Sequence, residues 1–144
     1  MVLKLSEYLE MPGHELCLVC GQDNPTGMRV RWHMEGDLVV GEATLGLPQQ
    51  GPPGHVHGGA IAAMLDEAMG FAAGSSGLAG LAANLDLNYR KPTPLGVALR
   101  AEGWLVRVEG RKVFTAGQLI LLDSELVVVE STGLYIQPRQ FNWN

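Results

Sequence analysis

The stretch GHVHGGAIAAMLDEAMG, residues 54–70, decides how this chain folds. Its second half, continued to residue 73, has the spacing of a helix. Placed at about 100° per residue, Ile61, Leu65, Ala68 and Ala72 form one stripe, with Met64 and Phe71 on its flank. That stripe is the face to bury. Asp66 lies on another side, among Gly59, Ala62, Ala63, Gly70 and Ala73. Every neighbour there is small, so another backbone or a ligand can approach, and the carboxylate is the only long group. Glu67 is about 100° further round and does not share that face.

Most helix carboxylates are simply hydrated, and Asp66 fits that reading too. Position argues the other way. A lone helix wrapped by a sheet has little surface to spare, and a partly buried carboxylate needs hydrogen-bonding or charged partners. Such groups cluster at functional sites. The start of the helix adds a second feature. His57-Gly58-Gly59 leaves first-turn N–H groups without helical partners, and the helix dipole favours negative charge there. A carbonyl oxygen docked on those amides would be polarised as in an oxyanion hole. The glycines equally suit a tight turn from loop to helix. Gly58 and Asp66 are separated by about 12 Å along the helix axis at about 1.5 Å per residue. One reacting carbon cannot readily meet both. If both serve one substrate, Asp66 comes from a neighbouring subunit, which predicts a homodimer with two shared sites.

The flanks of this helix read as strands. Residues 28–34, MRVRWHM, alternate Met28, Val30, Trp32 and Met34 against Arg29, Arg31 and His33, and LVVGEATL follows Gly36-Asp37 as a hairpin partner. QQGPPG, residues 49–54, is a loop on glycine and proline grounds, and Gly74 to Gly77 ends the helix. Residues 81–90, LAANLDLNYR, alternate again, with Leu81, Ala83, Leu85, Leu87 and Tyr89 facing one way. Three more strands are expected near 96–108, 112–122 and 126–136. The class is α+β: one long helix covers a mainly antiparallel sheet of about six strands. The last four strands suit a meander, but spacing does not fix their order. The expected layout is a single domain over 1–144, with a short helix and irregular arm in 1–26, a core in 28–136 and a tail in 137–144.

The length of 144 residues suits one core, and 47% apolar residues is ordinary for a globular chain. No stretch reaches the roughly 18 apolar residues of a membrane span, so no membrane partner is expected. The acidic residues in MVLKLSEYLE argue against a secretory leader and make the cytoplasm the expected compartment. A net charge of −5 with no basic stripe argues against nucleic acid. Cys17 and Cys20 form a CxxC with His14 and His33 nearby. Structural zinc takes four ligands in well-formed pairs, and only one such pair is present, so no metal is expected. No βαβ pattern surrounds the CxxC, which argues against a thioredoxin-like redox role.

GPPGHVHGGAIAAMLDEAMG followed by AANLDLNYRKPTPLG resembles the hotdog-fold acyl-CoA thioesterases, and the nearest branch is the phenylacetate-pathway-like one. CLVCGQDNPTGM and GRKVFTAGQLILLDSELVVVESTGLYI extend the likeness over about residues 17–136. The resemblance implies a sheet wrapped around a central helix, dimers with tetramers common, and hydrolysis of acyl-CoA thioesters. Asp66 matches the family's catalytic carboxylate, as general base or nucleophile. Gly58 and Gly59 match the oxyanion turn, His57 the histidine that shapes it, and Asn88 and Tyr89 the strand lining the acyl region. Several relatives carry a Thr or Ser where this chain has Ala82. Without that hydroxyl, water positioning falls to Asn84, Glu67 or a backbone group. The loop before His57-Gly58-Gly59 also lacks the Asn or Gln placement of some relatives, although Gln49 and Gln50 lie close by.

For the CoA phosphates, Arg90-Lys91 and Arg111-Lys112 are the cation candidates, although both pairs are also ordinary solvated strand ends. The acyl chain is expected near Met64, Phe71 and Trp104, residues that equally suit a core. CoA belongs to the substrate, and no other cofactor is expected. Hydration or dehydration of an acyl thioester, and non-catalytic acyl-CoA binding, are the alternatives.

Overall fold

In a computed structural model of the chain, residues 8–77 and 80–139 are described. The elements in order are β1 (Arg31–Glu35), β2 (Leu38–Thr44), α1 (Gly58–Gly74), β3 (Leu81–Tyr89), β4 (Ala98–Glu109), β5 (Lys112–Leu121) and β6 (Leu126–Ile136). They make one six-stranded antiparallel sheet, ordered β1-β2-β4-β5-β6-β3, that curls around α1. Strands β4 to β6 form the expected meander. β3 does not open it: its chain passes across the sheet and pairs with β6 at the far edge.

Hydrophobic spacing explains the helix. Ile61, Met64, Leu65, Ala68, Met69 and Ala72 are all buried against the sheet. The buried arc is wider than the expected stripe and takes in Ala73, which is only 1% exposed and so leaves the Asp66 face. Contact with β4 is close enough to require a glycine. A Cβ on Gly103 would sit 2.6 Å from the Ala68 carbonyl.

Local backbone chemistry accounts for the differences from the sequence expectations. β1 begins at Arg31 rather than residue 28, because Arg29 adopts a left-handed φ of 54° that interrupts the extended run. Val30 and Trp32 still point inward, and the main chain of Leu9 in the arm pairs with Trp32. Described residues 8–26 form turns and no helix; residues 1–7 of the expected helix, and 140–144 of the expected tail, lie outside the described residues. In β3 a bulge falls between Ala82 and Asn84. A bulge reverses the facing of everything on one side of it. Leu85, Leu87 and Tyr89 face the helix as expected, whereas Leu81 falls out of step and Ala82 pairs with the helix-facing Tyr135.

Candidate active site

α1 carries both halves of the expected site. At its start, His57 adopts φ −61° and ψ 134° and caps the helix, its Nδ1 accepting from the Gly59 N–H at 2.8 Å. The Tyr89 hydroxyl donates to the Gly58 carbonyl at 2.7 Å. The peptide joining Gly58 to Gly59 is therefore held at both ends, at its oxygen by Tyr89 and at its nitrogen by His57. This corrects the expected pair of amide donors. The Gly59 N–H is engaged by His57, and among the described residues only the Gly58 N–H of the Gly-Gly turn has no partner. His57 thus shapes the turn as a cap. Tyr89 anchors the turn, and burial moves its hydroxyl's pKa upward, so it stays a donor at neutral pH.

Asp66 is half-buried two turns along, on the small-residue face. The Tyr135 hydroxyl, from β6, donates to both the Asp66 carbonyl and its carboxylate Oδ1, each at 2.7 Å. Tyr135 is 2% exposed, and its ring fits here because its neighbours are glycines. A Cβ on Gly133 would come within 2.9 Å of the ring, and one on Gly70 within 3.6 Å. Burial first, and the Asp66 charge second, push the Tyr135 hydroxyl well above the usual tyrosine range. It therefore remains a donor that holds one carboxylate oxygen. Asp66 Oδ2 has no hydrogen-bond partner among the described residues. Inward alternation in the sequence marks Tyr135 only as core, so no sequence signal singles it out.

Other expected site residues are not brought to Asp66. Glu67 points to the opposite side. Its Oε2 accepts from Trp32 Nε1 at 2.9 Å, and its Oε1 accepts from the thiols of Cys17 at 3.0 Å and Cys20 at 3.2 Å. Both oxygens are occupied, so Glu67 has no place beside the reacting water. With His14 these groups form a compact set of metal-ligating atoms. Burial, and next the bond to Glu67, push the Cys20 thiol above its ordinary range. His33 is not part of that set and pairs with Glu35 instead.

Asn84 and Asn88 are partnered with Leu134 and Glu130, on the sheet face away from α1, so neither can position water for Asp66 within a protomer. Asn84 instead lines a cleft of about 390 Å³ with Arg107, Phe114, Thr132 and Leu134. Met64 is 0% exposed and is core, not a pocket wall, because it shares the sheet-facing stripe of α1. Trp104 follows the helix-contacting Gly103 and so falls on the far face, while Phe71 packs 6.4 Å from Trp32. The two cation pairs lie at opposite ends of β3 and β6. Lys112 is level with Ile136 and Leu81, whereas the Arg90 N–H bonds to the Val128 carbonyl. Nine residues of strand separate them, about 30 Å at roughly 3.3 Å each. They cannot grip one phosphate group within a protomer. Arg90 is further tied to Glu130 at 2.9 Å, and Arg111 to the Gln137 carbonyl at 3.0 Å.

A family model described as the thioesterase superfamily matches residues 53–128, more than half of the chain and the whole of α1. The chain belongs to the thioesterase superfamily. Among curated relatives, this superfamily member is 41% identical over 92 residues to the acyl-coenzyme A thioesterase THEM4 of Mus musculus. The match covers 64% of this chain and 40% of that protein, so the chain spans well under half the length of this relative. Among solved structures it is similar to RHA08564, a thioesterase superfamily protein. The identity is 42% and the TM-score 0.77, over 82% of this chain and 61% of that one. The PaaI protein of E. coli, from the phenylacetic acid degradation operon, shares the fold at 18% identity and a TM-score of 0.70, over 77% of this chain and 80% of its own. The six-stranded sheet around one helix is the hotdog fold of this superfamily.

Proposed function

We propose that this superfamily member hydrolyses acyl-CoA thioesters to the free acid and CoA. The observation that carries the reading is the state of Asp66. One carboxylate oxygen is held by Tyr135 and the other has no partner among the described residues, on a face of small side chains. Such a group is oriented and still able to take a proton from water. The thioester carbonyl docks on the Gly58 N–H at the start of α1, where the amide and the helix dipole stabilise the developing oxyanion. The name acyl-coenzyme A thioesterase given to the THEM4 relative supports the substrate class. No metal or redox step enters this hydrolysis. Ala82 lies beside Tyr135 in the β3–β6 register, and Asn84 and Glu67 face elsewhere, which within a protomer leaves a backbone group to position the water.

The reading includes a homodimer with shared sites, and a tetramer built from such dimers is compatible with it. Gly58 and Asp66 are about 12 Å apart on one helix at about 1.5 Å per residue, too far for one reacting carbon. β3 supplies a surface for pairing. It is a nine-residue edge strand with an exposed Leu81 and Tyr89, whereas the other edge, β1, is covered in part by Leu9. The acyl chain then runs between protomers, since the space around Met64 is filled. In a dimer, Arg90-Lys91 of one protomer and Arg111-Lys112 of the other become available together to the CoA phosphates. The cytosol is the compartment proposed, and two free cysteines are in keeping with it.

Release of free thiol from a panel of acyl-CoAs tests the reading. Wild type turns over. Asp66→Asn keeps the bond from Tyr135 but loses at least about a hundredfold in kcat, with an unchanged unfolding midpoint. Enoyl-CoA absorbance that changes without thiol release would assign a hydratase, and affinity without turnover a binding protein. Either result overturns hydrolysis.

A further inference from the structure

The N-terminal arm and α1 meet at a cluster that the hydrolysis does not use. One ligating atom from each of His14, Cys17, Cys20 and Glu67 lies within 4.8 Å of all the others. Both thiols converge on the same Glu67 oxygen, at 3.0 and 3.2 Å. The second Glu67 oxygen is held by the Trp32 indole, which fixes the carboxylate with its free edge toward the sulfurs. The CxxC loop is itself a tight knuckle. The Val19 N–H points to Cys17 Sγ at 3.4 Å, and Gly21 follows with no room for a side chain, since a Cβ there would meet the Cys17 nitrogen at 2.4 Å. His14 supplies an independent sign. Its Nδ1 is buried and has no hydrogen-bond partner among the described residues. A buried ring nitrogen left unpaired is costly, and a metal ion would satisfy it.

We propose that these four residues bind a single Zn²⁺ ion that clamps the arm onto α1. Two sulfurs, an imidazole nitrogen and a carboxylate oxygen form a borderline-soft donor set suited to tetrahedral zinc. Zinc bonds of about 2.0–2.3 Å give ligand-to-ligand edges of about 3.3–3.8 Å, so the widest gap closes by about 1 Å, within the reach of side-chain torsions. Four protein ligands leave no open coordination position, which makes the site structural. Both cysteines bind as thiolates, and their two protons pass to solvent as the metal enters. A cleft of about 220 Å³ lined by His14 and Cys20 gives the ion a path in. The CxxC alone reads as half a zinc site because Glu67 is 47 residues beyond Cys20. Only the packing of the arm on α1 brings it in.

The test uses the intact protein, stripped of metal under reducing conditions and titrated with Zn²⁺ against a chromophoric chelator, then separately with Co²⁺. The expected results are one equivalent of Zn²⁺ bound, a raised unfolding midpoint, and a Co²⁺ spectrum with tetrahedral d–d bands and thiolate charge transfer. Cys20→Ser weakens Zn²⁺ binding at least about a hundredfold, and Glu67→Gln, which can still accept from Trp32, at least about tenfold. If Cys20→Ser does not fold, the wild-type Co²⁺ spectrum and the Glu67→Gln titration decide. Absence of stoichiometric Zn²⁺ binding by reduced wild type, an octahedral Co²⁺ spectrum, or affinity that Glu67→Gln does not change would overturn the proposal.

Discussion

In the proposed hydrolysis Asp66 works through its contact with Tyr135, and the pair can be separated from mere packing. Tyr135→Phe keeps the ring that the glycines of α1 and β6 accommodate and deletes only the hydroxyl that donates to Oδ1 and to the Asp66 carbonyl. A hydrogen bond to a charged group contributes about 1.5–3 kcal/mol, so kcat is expected to fall at least about tenfold with KM little changed. Stability at high pH gives a second readout. The folded pKa of Tyr135 lies above its ordinary value of 10.0, so the unfolded chain ionises first as pH rises. The stabilisation is therefore complete below pH 10 and is lost between there and the folded pKa, at about 1.4 kcal/mol per pH unit. Urea unfolding at pH 10 and 11 should show a steeper loss in wild type than in Tyr135→Phe, where Tyr89 and Cys20, whose pKa values are also raised, still contribute a decline. An equal decline in both would remove Tyr135 from the account. At this scale the sequence was legible where the chemistry is local. Asp66 among small residues, and His57 before two glycines, stand out by spacing alone. The partner of Asp66 lies 69 residues away, and nothing in the sequence links the two.

Among the elements, α1 is the one on which the rest depends. Its buried arc, its capped start and its glycine-lined contacts keep the small-residue face of Asp66 clear. The closest of those contacts, Gly103 against the Ala68 carbonyl, permits a direct test. Gly103→Ala inserts a methyl group where backbone already stands, and overpacking of that kind costs about 1–3 kcal/mol. Urea unfolding should show the loss, with thiol release reduced as α1 shifts on the sheet. Full stability would mean that the helix is not seated so closely. Element positions were readable because alternation of apolar residues marks strands, and β4, β5 and β6 lie within a few residues of expectation. The bulge in β3 was not readable, since Ala82-Ala83 carries no mark of which residue is extra. That single insertion moves Leu81 out of line, and the β3–β6 register places Asn84 and Asn88 away from Asp66. Strand order was hidden for a related reason. The pairing of β3 with β6 is a long-range choice made by burial, not by any local turn.

At the scale of the whole molecule, the protomer carries the two proposed half-sites, Gly58 and Asp66, too far apart on one helix to meet. The proposed dimer joins the Gly58 amide of one copy to Asp66 of the other, and it closes the β3 edge in doing so. Gly58→Pro removes the one unengaged amide of the turn at little structural cost. Proline suits the first helical position, and His57 before it already has the extended backbone that proline demands. Gly58→Pro and Asp66→Asn homodimers are each expected to be inactive. The decisive measurement is thiol release by a purified heterodimer of one Gly58→Pro chain and one Asp66→Asn chain. Shared sites leave one of the two intact, so turnover returns to about half that of wild type per dimer. A heterodimer as inactive as its parents would show that each site is built within one chain, and would contradict the account.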